Sequence, residues 1–206
     1  MTAVEDIVAE EWRQFQQVHN EGGRASCQDN WDEFRRQRSS QFLAWPEKLR
    51  TSYHEDLLEA AIAGRNLLTD KYAYMMRETA PERFAAMEHL LPPVSGEKKA
   101  LVEQLVACHL EWAEEFAEEF PLYAGTGRAL KAADAGWGQT AIETYVRGEL
   151  TSYSERTLRL YADFAARCKA EGVNLTKEIR DNIARSLGLS GSEEAEAILR
   201  RKYGLD

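Results

Sequence analysis

Apolar residues recur along this chain at the spacing of a helix. Val4, Val8, Phe15 and Val18 fall on one side when the chain is wound at about 3.6 residues per turn. The same period carries Trp31, Phe34, Phe42 and Trp45, then Leu49, Tyr53 and Ala60, then Leu68, Tyr72 and Met75, then Val102, Leu105, Trp112 and Phe116. No stretch alternates as a half-buried strand would, and no unit repeats at a fixed interval. Thr2 and Glu5 have capping-box spacing and open a first helix that runs to about His19. A second helix covers roughly Gln28 to Trp45 and stops before Pro46, where a third begins and runs to near Gly64. A fourth takes Leu67 to about Glu78, Pro81 opens a fifth, and Ser95 caps a long sixth that ends at Pro121. A seventh reaches from Ala141 to about Glu171, with a candidate break at Gly148 to Ser152, because Ser152 and Glu155 repeat the capping-box spacing. Asn174 and Ser192 cap two shorter helices. The predicted fold is all-α. It is a single domain over residues 1–206, a bundle of six to seven main helices with two short C-terminal ones, interrupted by a glycine turn at 20–27 and a long irregular loop at 121–140.

Polar residues interrupt these stripes. Glu11 lies between Val8 and Phe15, Arg38 between Phe34 and Phe42, and Asp56 between Tyr53 and Ala60. Lys71 shares the side of Leu68 and Met75, His109 lies in line with Leu105 and Trp112, and Glu149 sits four residues from both Tyr145 and Tyr153. Each of six helices thus points one ionisable group inward. Burying an unpaired charge costs several kcal/mol, so such groups must meet each other, water or a ligand. Two arrangements meet that requirement: a self-neutralising structural network, or a wet pocket for a polar small molecule.

Two segments concentrate further chemistry. In "NEGGRASCQ", residues 20 to 28, Gly22 and Gly23 permit backbone angles closed to other residues. Cys27 is expected at the positive start of the second helix, where a thiol is activated and free amides hold anions. Arg24, Arg35 and Arg36 add positive charge there. A tight turn with Ser26 or Asp29 as cap and Cys27 as a small apolar residue explains the same segment, and no base is fixed toward the thiol. In "ETYVRGELTSY", residues 143 to 153, Glu143 and Arg147 form an i, i+4 pair, and Glu149 between two tyrosines is a candidate general acid or base. The preceding loop, with Arg128, Lys131 and Trp137, is a candidate lid.

Composition narrows the choice. The formal net charge is −9 over 206 residues, so a phosphate backbone is an unfavoured partner and no nucleic-acid binding is expected. The start "MTAVEDIVAEEW" has no signal-peptide pattern, and no apolar run reaches the length of a membrane span, so no membrane partner is expected. Three widely spaced cysteines, Cys27, Cys108 and Cys168, point to a reduced, cytoplasmic protein. None of His19, His54, His89 and His109 follows an acid by three residues, so the Glu-x-x-His signature of a di-iron bundle is absent. There is no His-Glu-x-x-His, no paired Cys-x-x-Cys, no P-loop and no Gly-x-Gly-x-x-Gly, so neither metal nor cofactor is predicted.

The blocks "NEGGRASCQDNW", "SQFLAW", "GRNLLTDKYAYMM", "TAPE" and "ETYVRGELTSYSERTLRLYA" resemble the uncharacterised bacterial family DUF4125, a domain of unknown function, over almost the whole chain. The resemblance implies a bacterial, single-domain, cytosolic protein and transfers no catalytic residue. The favoured expectation is a small anionic or polar metabolite that is bound, or bound and converted, in a pocket within the bundle. Arg24, Arg38, Lys71, Arg128 and Arg147 would hold it, and Glu149, His109 or Cys27 would do chemistry. The alternative is a non-catalytic helical interaction or regulatory protein whose buried charges are structural.

Overall fold

The computed structural model describes residues 3–19, 23–136 and 140–205. Gly22, the cap position Thr2 and the lid residue Trp137 lie outside the described residues. Among the described residues there is no strand, and eleven α-helices follow one another along the chain.

The apolar stripes become buried faces. Helix α1 (Val4–Phe15) turns Val4, Ile7, Val8 and Phe15 inward, and α2 (Trp31–Leu43) contributes Phe42. From α3 (Glu47–Ile62) come Leu49, Tyr53 and Leu57, and from α4 (Leu67–Thr79) Leu67 and Leu68. Helix α5 (Pro81–Met87) is short, and α6 (Gly96–Glu119) crosses the whole assembly with Val102, Leu105 and Trp112 buried. After the four-residue α7 (Pro121–Ala124) come α8 (Ile142–Ser152) and α9 (Glu155–Ala170). Burying each large side chain contributes about 1.5–3 kcal/mol, and this core is what holds α1, α2, α3, α4, α6, α8 and α9 together. Helices α10 (Leu175–Ser186) and α11 (Ser192–Tyr203) close a second, smaller cluster with Phe116, Phe120, Tyr123, Ala184 and Ala195.

Several expected boundaries move, each for a local reason. The expected six to seven main helices with two C-terminal ones are eleven helices among the described residues, because Pro121 opens a short helix in the segment read as a loop and the seventh divides in two. Residues 121–140 are not wholly irregular: Pro121 starts α7, and a 3-10 turn occupies Ala132–Asp134. Helix α1 ends at Phe15 rather than near His19. Helix α2 starts at Trp31 with Asn30 as cap, its Oδ1 accepting from the Glu33 amide at 3.1 Å. Ser26, Cys27 and Asp29 lie in a separate 3-10 turn, so the amide ends of α2 do not serve Cys27. Asn174 caps α10 as expected, but Ser192 is the first residue of α11 rather than its cap. The long seventh helix is two. Tyr153 is extended, Ser154 caps α9 by accepting from the Thr157 amide at 3.1 Å, and Ser152 instead donates back to the Glu149 carbonyl at 2.7 Å.

One close approach sets the geometry of the interior. Gly148 on α8 lies against α4 so tightly that a Cβ there would be 2.4 Å from Met75 Cγ and 2.9 Å from the Lys71 carbonyl oxygen. Glycine is therefore what lets α8 bring Glu149 within reach of Lys71.

Candidate functional site

Four of the stripe-breaking residues meet. Arg38 on α2 grips Glu11 on α1 through two parallel bonds, Nε to Oε2 and Nη2 to Oε1, both 2.6 Å. Its other edge reaches Glu149 on α8, with Nη2 to Oε1 at 3.1 Å and Nη1 to Oε2 at 3.3 Å. Lys71 on α4 donates to Glu149 Oε2 at 2.6 Å. Two phenols complete the cluster: Tyr53 donates to Glu11 Oε1 at 2.5 Å, and Tyr153 to Glu149 Oε1 at 2.7 Å. Gln41 accepts from Arg38 Nη1 at 2.7 Å and donates to Glu149 Oε1 at 3.2 Å. Two carboxylates and two cations cancel, and all four are buried. Planar bidentate pairing of this kind is what makes a buried guanidinium tolerable.

The electrostatics follow. Burial pushes the Glu149 carboxyl up, but Arg38 and Lys71 outweigh it and hold the group well below the usual carboxylate range. Burial pulls the Lys71 ammonium down, but Glu149 overrides it, so Lys71 is raised above its ordinary value. Burial, then the neighbouring carboxylates, lift Tyr53 and Tyr153 well above the normal phenol. Arg38, Lys71 and Glu149 are thus fixed in their ionised forms across neutral pH.

The remaining predicted residues sit around this centre at different depths. Lys71 Nζ lies 3.7 Å from the Tyr145 ring centre, and Arg128 Cζ lies 5.2 Å from the same ring. Cys27 is exposed and free, and makes no bond to the cluster. Arg128 flanks one end of the cluster through Tyr145 without joining it. His109 is separate: its Nε2 shares a 2.7 Å hydrogen bond with the Tyr161 hydroxyl, and its ring stands edge-on between Tyr161 and Trp112. Burial pushes its pKa down to about 4, against the pull of Glu149. Arg147 is half-buried and ties three helices together through Glu78 at 2.6 Å, Glu103 at 2.9 Å and Glu143 at 3.1 Å. Arg24 binds Asp29 at 2.7 Å and the Gln28 carbonyl at 2.8 Å, away from the cluster.

The glycine connection is a local staple. Gly23 takes a φ of +86°, a left-handed turn that favours glycine. The buried Gln28 amide then donates to the Phe15 and Val18 carbonyls at 2.8 and 3.0 Å, and so caps the end of α1. Sequence reasoning passed over Gln28, as it passed over Gln41, because an amide carries no periodic signal. Tyr53 was legible only as apolar. The signal for Tyr153 was its place four residues after Glu149.

Asp56, the sixth inward-pointing group, goes elsewhere. Its Oδ2 accepts from the Ser154 amide at 2.9 Å and its Oδ1 from Arg156 at 3.3 Å. It lines a cleft of about 180 Å³ at the α8–α9 break, which Tyr153 lines as well while its hydroxyl bonds Glu149 of the charge cluster. Among the described residues no group of three or more His, Cys, Asp or Glu is placed to hold a metal ion, and no helix is long and apolar enough to cross a membrane.

No curated protein and no solved structure matches this chain. A family profile does, over residues 1–197, and by that match the chain belongs to the family described as a protein of unknown function, DUF4125.

Proposed function

We infer that this chain is a non-catalytic helical interaction or regulatory protein, and that its charged centre is structural. One observation carries the reading: Glu11, Arg38, Lys71 and Glu149 satisfy one another two against two, with Tyr53 and Tyr153 donating to the carboxylates. A general acid or base needs a pKa near the working pH and a lone pair or proton aimed at substrate. Glu149 is held far below that range and Lys71 above it. Free thiols at Cys27, Cys108 and Cys168 support a reducing, cytoplasmic setting, and the family resemblance supports a bacterial one.

A second reading keeps the favoured sequence expectation, a small anionic or polar metabolite at the end of the cluster. It draws on one observation: Arg128 stacks on Tyr145 beside Lys71 and has no acidic partner among the described residues.

The two readings separate in a double-mutant cycle read by urea denaturation. Lys71→Met and Glu149→Gln each strand a buried charge and are expected to cost about 3–5 kcal/mol. The double variant leaves Glu11 and Arg38 as a neutral pair and is expected to cost less than the sum by roughly 1–3 kcal/mol. Single variants of unchanged stability, or an anionic metabolite that raises the melting temperature of wild type and not of Glu149→Gln, would replace the first reading with the second.

A further inference from the structure

The cleft beside Asp56 holds a cation, Lys98, that forms no ion pair among the described residues. Lys98 stands in the first turn of α6, where its amide donates to the Ser95 hydroxyl at 3.0 Å and the positive end of a 24-residue helix adds to its own charge. Its side chain is half-buried and lines the cleft together with Arg65, Asp56, Glu59, Tyr74 and Ser154. Among the described residues the Lys98 ammonium makes no hydrogen bond and no ion pair. Burial lowers its pKa first and the Arg65 guanidinium lowers it further, while Asp56, Glu155 and Asp70 favour its charge only from a distance. Arg65 has its own partner in Asp70. Taking an ammonium partly out of water without a partner is unfavourable, and an anion between Lys98 and Arg65 removes that cost.

The rest of the lining decides which anion. Asp56 and Glu59 on α3 face the same space, and Asp70 lies behind Arg65. Three carboxylates so close repel a dianion such as phosphate. Each Asp56 oxygen accepts one hydrogen bond and keeps a lone pair for a second donor. The volume of about 180 Å³ is below the roughly 300–1,000 Å³ of sites for drug-sized ligands. We propose that this cleft binds a small monocarboxylate with a donor group on the adjacent carbon, an amino acid or a hydroxy acid, its carboxylate between Lys98 and Arg65 and its donor on Asp56. This assignment uses none of the four charges of the central cluster and stands whether or not those are structural.

The test is calorimetric titration of the full chain at physiological salt with glycine, alanine, serine, lactate, acetate and inorganic phosphate. The proposal expects saturable binding by the amino acids or by lactate, with acetate weaker and phosphate weakest. Which of the first two arms binds names the source of the donor. Lys98→Gln is expected to weaken binding about 10- to 100-fold, the value of one charge-assisted hydrogen bond. Lys98→Arg is expected to keep most of it, and Asp56→Asn to narrow the gap between alanine and acetate. Urea denaturation of Lys98→Gln checks that the fold persists, as the partial exposure of that side chain predicts. No binding by any of the six compounds at millimolar concentration overturns the proposal. So does binding that Lys98→Gln leaves intact, or a preference for phosphate.

Discussion

At the scale of single residues, His109 carries the clearest pH signature. Burial between Tyr161 and Trp112 moves its pKa from 6.5 to about 4. An unfolded chain takes up this proton at about pH 6.5, while the folded chain resists it until much lower. The unfolded state therefore binds more protons in between, and stability rises with pH across that window. The contribution is complete above about pH 6.5 and is lost as pH falls toward 4, with a ceiling of roughly 3 kcal/mol. Urea denaturation of wild type from about pH 7 to pH 5 is expected to show this slope, and His109→Gln, which can still bond Tyr161, is expected to flatten it. An equal slope in both proteins would place the acid sensitivity on another group. The residues legible in the sequence were those that broke a stripe. Glu11, Arg38, Lys71 and Glu149 stood out because a charge among Phe, Val, Leu and Tyr must find a partner. Asp56 stood out for the same reason, but its direction did not, since only the α8–α9 break shows that its partner is the Ser154 amide. Lys98 gave no signal at all: a lysine in a first turn looks like any solvated one until three other helices close around it.

At the scale of elements, helix positions were readable and helix ends were not. The ends moved where a tertiary bond outweighed a local cap. Ser152 and Glu155 have the right spacing, yet the break falls at Tyr153 and Ser154, where the Ser154 amide meets Asp56 from α3 and the Tyr153 hydroxyl returns to Glu149. The closeness of α4 and α8 was hidden for a similar reason. Gly148 reads as a weak point in a helix, whereas in the fold it is the contact itself. An alanine methyl there would meet the Met75 side chain and the Lys71 carbonyl, so one of the two helices must shift. Gly148→Ala gains helix propensity of about 1 kcal/mol and is still expected to lose stability on balance, by about 1–3 kcal/mol of overpacking. The same shift would draw Glu149 away from Lys71. Met75→Ala in the Gly148→Ala background is expected to return part of the loss, because it removes the side chain at 2.4 Å. A Gly148→Ala protein as stable as wild type would mean that α4 and α8 are not held at this distance.

At the scale of the whole molecule, the two apolar clusters predict two levels of stability. The larger one joins α1, α2, α3, α4, α6, α8, α9 and, through Leu175, α10 around the charge cluster, whose cross-links span five of them. The smaller one rests on Phe116, Phe120, Tyr123, Ala184 and Ala195 and depends on a few polar ties to keep α11 in place. Asp181 Oδ1 accepts from the Ser192 amide at 2.7 Å and from its hydroxyl at 2.5 Å, which fastens the start of α11 to α10. Glu196 accepts from the Tyr123 amide at 2.8 Å and from the Leu122 amide at 3.3 Å, which fastens α11 to the start of α7. Regions with few buried apolar contacts open at lower free energy than the core. Asp181→Ala removes the acceptor that serves as the cap of α11, a loss of about 1–2 kcal/mol. That loss should fall on local opening. Hydrogen exchange is expected to show faster exchange of α11 amides in Asp181→Ala, while amides of α3, α4 and α8 keep their wild-type protection. Faster exchange spread evenly over all helices would mean that both clusters unfold as one unit, and the charge cluster would then be stabilising the C-terminal helices as much as the core it sits in.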